Sequence, residues 1–153
     1  MIPRIGHPPE AARKYTLRPG AYAILPMGSH VLLTGQQDTV LDIQLPGGGI
    51  DPGESAVQAL HREVREEIGW SIARPYRLGA FRRFVFMPEY DLWAEKLCAI
   101  YVAHPIRQIC DPIEPDHVTL RLPWNEALHA LGNDGDRLFL NRFAQRRRAI
   151  KFK

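Results

Sequence analysis

Residues 47–70 constrain the fold of this chain more than any other stretch, because three consecutive glycines lead into an amphipathic helix. At about 100° per residue, four apolar side chains of this helix fall within about 80° of one another and form a stripe. The stripe comprises Val57, Leu60, Val64 and Ile68. Ser55 suits the N-cap of a helix over residues 56–68, and Gly69 stands where a C′ glycine belongs. The sequence therefore predicts a tight turn followed by a helix that buries this stripe.

The same helix carries a cluster of three carboxylates, Glu63, Glu66 and Glu67. They occupy a sector about 100° wide beside the stripe, and like charges at this spacing destabilise a helix by roughly a few tenths of a kcal/mol per pair. Two explanations stay open on the helix alone. The cluster is either a solvated face paired with Arg62 and Arg65, or it binds a hard divalent cation, which prefers oxygen ligands.

The wider pattern favours the cation. Gly48 is followed after five residues by Glu54, and after seven more by the run REVREEIGW over residues 62–70. This spacing resembles the Nudix box, with glycine, glutamate, Arg-Glu, a hydrophobic residue, Glu-Glu, glycine and a final hydrophobic residue all in place. The one small difference is Trp70, where the family usually has a bulky aliphatic residue. We expect this difference to affect packing and not the chemistry.

The resemblance implies a fold, a reaction and a cofactor. The fold is α/β (α+β), a Nudix-type α/β/α sandwich with a mixed central sheet, and the reaction is hydrolysis of a nucleoside diphosphate linked to another group. Glu63 and Glu67 match the positions that usually bind the metal, Mg²⁺ or Mn²⁺, with Glu66 as a third or shared ligand. The carbonyl of Gly47 or Gly48 matches a common main-chain ligand.

Other residues are assigned less directly. Arg62 is expected to orient the acidic cluster, and Glu54 to pin the loop to the helix or to lie exposed near its N-terminus. In many Nudix enzymes the general base lies on a loop before a late strand, and Asp116 and Glu114 occupy that stretch. Alternative bases are Glu89, Asp91 and Glu95.

The substrate is not readable from the sequence, although basic and aromatic residues are candidates for contacting it. Arg82, Arg83 and Lys96 are candidates for phosphate binding. The aromatic candidates for base stacking are Tyr22, Phe84, Trp93 and Tyr101, for each of which core packing is the better expectation.

Composition excludes several classes of protein. With 45% hydrophobic and 24% charged residues, the chain of 153 residues reads as one globular domain over residues 1–153. It has no apolar run near the roughly 18 residues of a membrane span and no signal peptide. Cys98 and Cys110 have no zinc-like spacing, so we expect reduced thiols in a cytoplasmic protein.

The net charge of +3 comes from the end of the chain. Six basic residues and no acid lie in residues 142–153, and without them 14 basic residues face 17 acidic ones. We therefore read residues 146–153 as a solvated basic tail, and the Pro-rich residues 1–13 as a segment lying loosely across the surface.

Alternating and apolar runs predict the remaining elements. The predicted strands are residues 21–25, 31–33, 41–45, 72–78, 79–86, 93–102 and 118–122, of which 93–102 is apolar on both faces and reads as central. One helix is predicted with Pro123 in its first turn, and a final helix is predicted to be capped at residues 133–136.

Among Nudix activities, a MutT-like nucleoside triphosphate pyrophosphatase is favoured, because the chain is compact and shows no extra domain. An ADP-ribose or dinucleoside polyphosphate hydrolase follows closely, and an RNA-end hydrolase would use residues 146–148 as a binding patch. A non-catalytic nucleotide-sensing domain commonly lacks a helix glutamate, and none is lacking here. The expected partner is a small nucleotide, with no membrane contact, while a homo-oligomer stays open.

Overall fold

The structure, a computed structural model, describes residues 1–151. Its elements are β1 (Thr16–Met27), β2 (His30–Gln37), β3 (Leu41–Gln44), β4 (Gly47–Gly49), α1 (Ala56–Ile68), β5 (Trp70–Met87), a 3₁₀ turn (Pro88–Tyr90), β6 (Leu92–Gln108), β7 (His117–Pro123), α2 (Trp124–Ala130) and α3 (Asp134–Lys151). Seven strands form a mixed sheet in the order β3-β2-β1-β6-β5, with β4 added to β1 and β7 to β2. Among the strand pairs within residues 1–151, only β1–β6 is parallel. The α+β class and the mixed central sheet are confirmed.

The two faces of the sheet bury two different cores, and β1 serves both. Tyr22 and Ile24 face a core shared with α2 and α3, whereas Ala21, Ala23 and Leu25 face a core shared with α1. This alternation is what a strand covered on both sides requires. Burying each large aliphatic side chain stabilises the fold by about 1.5–3 kcal/mol. The helices therefore sit on opposite faces of the sheet, and α1 is held against the strands that carry the glycine run.

The helix α1 begins and ends where its caps predict. The Ser55 hydroxyl accepts from the Gln58 amide at 3.1 Å, and the Gln58 side chain accepts from the Ser55 amide at 2.9 Å. Gly69 closes the helix with φ 72°. The predicted stripe is wrong at Val57, which is 37% exposed. Val57 lies between Val64 and Ile68 around the helix axis, so its exposure comes from its position in the first turn, whereas Glu67 joins the buried face.

Several predicted elements differ in the structure. The two strands expected over residues 72–86 are a single strand, β5, because register shifts against β6 absorb the irregular stretch around Pro75 and Gly79. The glycine run, expected as a turn, is the short strand β4. The helix α2 follows Pro123 instead of including it, and Asn133 caps α3 as predicted by accepting from the Asp136 amide at 2.8 Å.

The chain ends are held more firmly than the sequence predicts. Residues 3–5 pair with the edge of β5. The amide of Ile5 donates to the carbonyl of Arg82 at 2.9 Å, and the carbonyl of Pro3 accepts from the amide of Arg82 at 2.8 Å. The basic residues 146–151 continue α3, and the Arg147 guanidinium lies 4.4 Å from the centre of the Trp124 ring. The rest of the predicted tail, residues 152–153, lies outside the described residues. None of the described helices is both long and apolar enough to cross a membrane.

Candidate active site

The site is built around β4, whose three glycines pair with residues 20–22 of β1. Gly47 has φ 152°, and a Cβ atom there would lie 2.2 Å from the carbonyl oxygen of Ala21. A side chain is therefore excluded at Gly47. Just before it, the carbonyl of Pro46 accepts from the amide of Ala23 at 2.8 Å, which anchors the approach to the site on β1.

Gly48 leaves room for a carboxylate. A Cβ atom at Gly48 would lie 2.5 Å from the Cδ of Glu63 and 2.6 Å from one of its oxygens. The Glu63 carboxylate thus occupies the volume that any other residue at this position would fill, and it lies directly against the backbone of β4.

Arg62 ties the acidic cluster together. Its guanidinium donates to both oxygens of Glu54 at 2.8 and 2.9 Å, to Glu63 at 2.9 Å, to Glu66 at 3.2 Å and to the carbonyl of Gly49 at 2.9 Å. The bidentate bond to Glu54 is the geometry in which guanidinium and carboxylate interact most strongly. That bond, together with the amide of Asp51, lowers the pKa of Glu54 from 4.5 to about 2.

Glu67 is the buried member of the cluster, with only 4% of its surface exposed. One oxygen accepts from the amide of Gly47 at 3.1 Å, and the other lies 3.5 Å from Nδ1 of His117. Burial raises the pKa of Glu67 well above its ordinary value, with the charges of Glu63 and Glu114 adding to the effect. Burial also raises the pKa of Glu63, against the opposing hydrogen bond from Arg62. Two carboxylates in this state favour a positive charge between them.

His117 and Thr34 are site residues that the sequence analysis did not identify. The Thr34 hydroxyl lies 2.9 Å from Nδ1 of His117, so the ring is held between this hydroxyl and Glu67. Burial lowers the pKa of His117. The two residues are 83 positions apart in the chain, and a threonine directly after the apolar run of residues 31–33 was the one local signal.

The loop before β7 is fastened to the end of α1. The carbonyl of Glu66 accepts from the amides of Ile113 and Glu114 at 2.8 and 2.9 Å, and that of Gly69 accepts from the amides of residues 109 and 110. These bonds satisfy helix carbonyls that would otherwise lack partners. They also bring Glu114 to the wall of the cleft beside Glu63 and Glu67.

Of the other candidate bases, only Glu89 lines the cleft that contains Glu63 and Glu67. Asp116 has φ 64° and lines a neighbouring cavity instead of the cleft of the glutamates. Glu89 lines both cavities, Glu95 pairs with Arg82 at 3.3 Å, and Asp91 lines neither. Glu114 and Glu89 are thus the candidates that the fold brings to the cleft.

The cleft itself measures about 450 Å³ and lies between β4, α1 and the loop before β7. Its wall includes Gly48, Glu63, Glu67, Glu114, His117 and Lys96. It adjoins a second cavity of about 530 Å³, with which it shares Gln36, Gln44, Met87, Glu89 and Lys96. Lys96 therefore stands at the junction of the two cavities.

Of the remaining candidates for substrate binding, some line the two cavities and others do not. Arg83 lines the second cavity, whereas Arg82 pairs with Glu95 and lines neither. Tyr22 and Tyr101 are buried. Phe84 and Trp93 pack against Tyr15, with ring centres 4.9 and 6.2 Å apart. Of the four aromatic candidates, Tyr22 alone lines the cleft.

The donor set fits a hard divalent cation. Glu63, half-buried, and Glu67, buried, supply carboxylate oxygens beside the backbone of β4, and oxygen ligands are those that Mg²⁺ prefers. Within residues 1–151, three His, Cys, Asp or Glu side chains do not converge closely enough to form a cage by themselves. An ion here would thus complete its coordination with water or substrate oxygens.

Comparisons with known proteins agree with this architecture. A model of the NUDIX domain matches residues 16–143. The "Putative 8-oxo-dGTP diphosphatase" of Bacillus subtilis (strain 168) is 40% identical over 75 residues, which cover 48% of this chain and 50% of that protein. The "RNA pyrophosphohydrolase" of Helicobacter pylori is 42% identical over 62 residues, 37% of this chain and 39% of that protein. The chain thus matches at most half the length of these curated relatives.

The fold also has counterparts among solved structures. A NUDIX hydrolase from Nitrosomonas europaea superposes with a TM-score of 0.70 at 18% identity, covering 85% of this chain and 90% of that one. At this identity the likeness concerns the fold alone. The domain match over most of the chain, with the box at its cleft, shows that the chain belongs to the Nudix family.

Proposed function

We propose that the protein is a Mg²⁺-dependent pyrophosphohydrolase that cleaves a nucleoside diphosphate linked to another group. The observation that carries this proposal is the convergence of Glu63 and Glu67 on the glycine strand β4 at one open cleft. A phosphoanhydride places negative oxygens around the attacked phosphorus, so the enzyme's task is positioning and charge neutralisation. The carboxylates alone would repel such a substrate. A divalent cation between them would offset their negative charge and attract the phosphate oxygens.

In the proposed site, Glu63, Glu67 and Glu66 would hold Mg²⁺ or Mn²⁺, with the carbonyl of Gly47 or Gly48 as a main-chain ligand. The ion, when bound, neutralises phosphate charge and lowers the pKa of the attacking water. Arg62 keeps the oxygens of Glu63 and Glu66 in fixed positions through its hydrogen bonds.

Glu114 is the proposed general base. Its amide is hydrogen bonded to the carbonyl of Glu66, which fixes the distance between this residue and the acidic cluster. Its carboxylate would take the proton from water as the oxygen attacks phosphorus, and the pyrophosphate or monophosphate leaves. Glu89 is the alternative, since it is the other candidate acid in the cleft.

For the substrate we favour a nucleoside triphosphate. The Bacillus subtilis relative is named for a nucleoside triphosphate, and the cleft with its adjoining cavity is of a size suited to a small nucleotide. A location in the cytoplasm remains a prediction from the sequence, and the sequence leaves the oligomeric state open.

RNA with a 5′-triphosphate is the second candidate, because the Helicobacter pylori relative is named an RNA pyrophosphohydrolase. The exposed arginines of α3 do not add to the site itself. Arg147 donates to the carbonyl of Gly28 at 3.0 Å, and Gly28, just past the end of β1, is six residues from Tyr22, a separation of about 20 Å. An RNA reaching these arginines would have to extend well beyond the cleft.

The activity is tested by incubating the protein with Mg²⁺ and a panel of substrates. The panel contains the nucleoside triphosphates including 8-oxo-dGTP, ADP-ribose, a dinucleoside polyphosphate and a 5′-triphosphate RNA, with products identified by mass spectrometry. We expect release of a nucleoside monophosphate and pyrophosphate from a triphosphate, abolished by chelator. Faster turnover of RNA would favour the second candidate, and no turnover of any phosphoanhydride would refute the proposal.

The metal site is tested separately through Glu67→Gln, which keeps the shape and removes one charge. In chelator this variant should be at least as stable as wild type, because mutual repulsion is reduced. Mg²⁺ should raise the melting temperature of wild type, since a ligand of the folded state stabilises it by mass action. Glu126→Gln, an exposed acid of α2, should respond to Mg²⁺ as wild type does. Equal responses in all three proteins would contradict the metal site.

A further inference from the structure

Two cations face each other on β5 and β6. Arg83 and Lys96 are paired residues of the antiparallel register, so their side chains leave the same face with Cβ atoms about 5 Å apart. That face is the one toward α2 and α3, because Phe81 and Cys98, paired two residues further along, are buried in the core there. Arg82 points to the opposite face by strand alternation.

Neither cation has an ion-pair partner within the described part of the chain, although the Lys96 ammonium lies 5.5 Å from the centre of the Tyr22 ring. No carboxylate oxygen lies within 4.0 Å of the Arg83 or Lys96 side chain, and neither side chain makes a hydrogen bond within residues 1–151. The neighbouring Arg82, by contrast, pairs with Glu95 and donates to the carbonyl of Ile2. The buried Asp136 is near enough for both cations to lower its pKa against the effect of burial, but it makes no ion pair with either, and one of its oxygens accepts from the amide of Leu45 at 3.0 Å. Both cations are half-buried, and like charges directly opposite each other destabilise a sheet.

The position of the pair suggests what offsets this cost. Arg83 and Lys96 both line the second cavity, and Lys96 also lines the cleft that holds Glu63 and Glu67. A planar guanidinium suits bidentate contact with phosphate, and an ammonium is a strong point charge beside it. The pair therefore offers donors and charge for an anion at the junction of the two cavities.

We propose that Arg83 and Lys96 form an anion subsite that binds a phosphate group of the substrate which the acidic cluster does not hold. The inference rests on the proposed function, since it assigns one more phosphate of the same substrate. The substrate must then carry at least two phosphates, one at the carboxylates and one at the cation pair. The group attached beyond the second phosphate would then lie in the second cavity.

The test measures binding of inorganic pyrophosphate by calorimetry, in chelator and at low salt, so that neither metal nor base contributes. Arg83→Gln and Lys96→Gln should each weaken binding about tenfold, in line with the loss of one hydrogen bond to a charged group. Arg83→Lys, which keeps the charge, should recover part of the loss. The matched control is Arg77→Gln, which removes the same charge from an exposed position of β5 outside both cavities and should change binding less than twofold.

Melting temperatures separate a binding defect from a folding defect, because removing one of two facing cations should leave stability unchanged or slightly raised. Unchanged binding in both Gln variants, or equal weakening in Arg77→Gln, would overturn the subsite. If wild type hydrolyses a nucleotide with Mg²⁺, both variants should raise KM about tenfold with kcat nearly unchanged. If both variants hydrolyse the nucleotide with unaltered KM, the subsite is refuted but the proposed activity is not. If pyrophosphate binding depends on Arg83 and Lys96 but no substrate is hydrolysed, the proposed activity alone is refuted.

Discussion

Replacing Gly48 with alanine tests whether the glycine strand positions a carboxylate. The added Cβ atom would lie 2.5 Å from the Cδ of Glu63, about 1 Å closer than ordinary carbon contacts. The backbone of Gly48 is not in the left-handed region, so the substitution adds no conformational strain. The carboxylate, at the end of a flexible side chain, should therefore move by about 1 Å while the strand stays in place.

The expected losses follow from that displacement. A misplacement of about 1 Å costs on the order of 10²-fold in rate, equivalent to about 2.7 kcal/mol of transition-state stabilisation. The displaced carboxylate would also give up its 2.9 Å hydrogen bond to Arg62. Because both groups are partly exposed, we expect about 1 kcal/mol of stability to be lost, which lowers the melting temperature by about 2–4 °C.

The assay compares kcat, Mg²⁺ affinity and melting temperature in Gly48→Ala and Gly49→Ala. A Cβ atom at Gly49 meets nothing within 4 Å, so this neighbour should stay within about threefold of wild type in every measurement. Glu63→Asp withdraws the carboxylate by about one bond length, about 1.5 Å. The double variant with Gly48→Ala should therefore be no worse than Glu63→Asp alone. Equal behaviour of the two glycine variants would refute the reasoning.

Three further outcomes are expected. Glu114→Gln should lower kcat by about 10²- to 10⁴-fold with little change in KM, whereas Asp116→Asn should keep most activity; the reverse order in single-turnover assays would exclude Glu114 as the base. Because its folded pKa is depressed, Glu54 contributes stability that is complete above pH 4.5 and lost as pH falls toward about 2. The gap in melting temperature between wild type and Glu54→Gln should therefore narrow over that range, and a constant gap would contradict the ion pair. Arg147→Gln should lower the melting temperature by about 1–4 °C through its lost cation–π contact, and Arg146→Gln, which is exposed, should not.

Local signals in the sequence were enough to predict the helix of the box and its ends. Ser55 and Gly69 act through hydrogen bonds within a few residues, so their effect does not depend on the rest of the fold. The same holds for the spacing that places Glu63 and Glu67 one above the other on α1. The apolar run in β1 and the family resemblance likewise rest on patterns that a single stretch contains.

The tertiary structure alone decided how this helix is rotated and what meets it. Packing against the sheet buried Glu67, which the apolar stripe does not include, and left Val57 exposed in the first turn although it shares the direction of Val64 and Ile68. The contact of His117 with Thr34 joins β7 to β2 across 83 positions, and no local pattern encodes such a pairing.

The register of β5 against β6 was equally beyond the sequence. It decides that Arg83 faces Lys96 at the cavities while Arg82 turns away to Glu95, although the two arginines are adjacent and chemically identical. A shift of one residue would exchange them, since side chains alternate between the faces of a strand. Their assignment therefore follows from hydrogen bonds between distant strands, which only the folded chain makes.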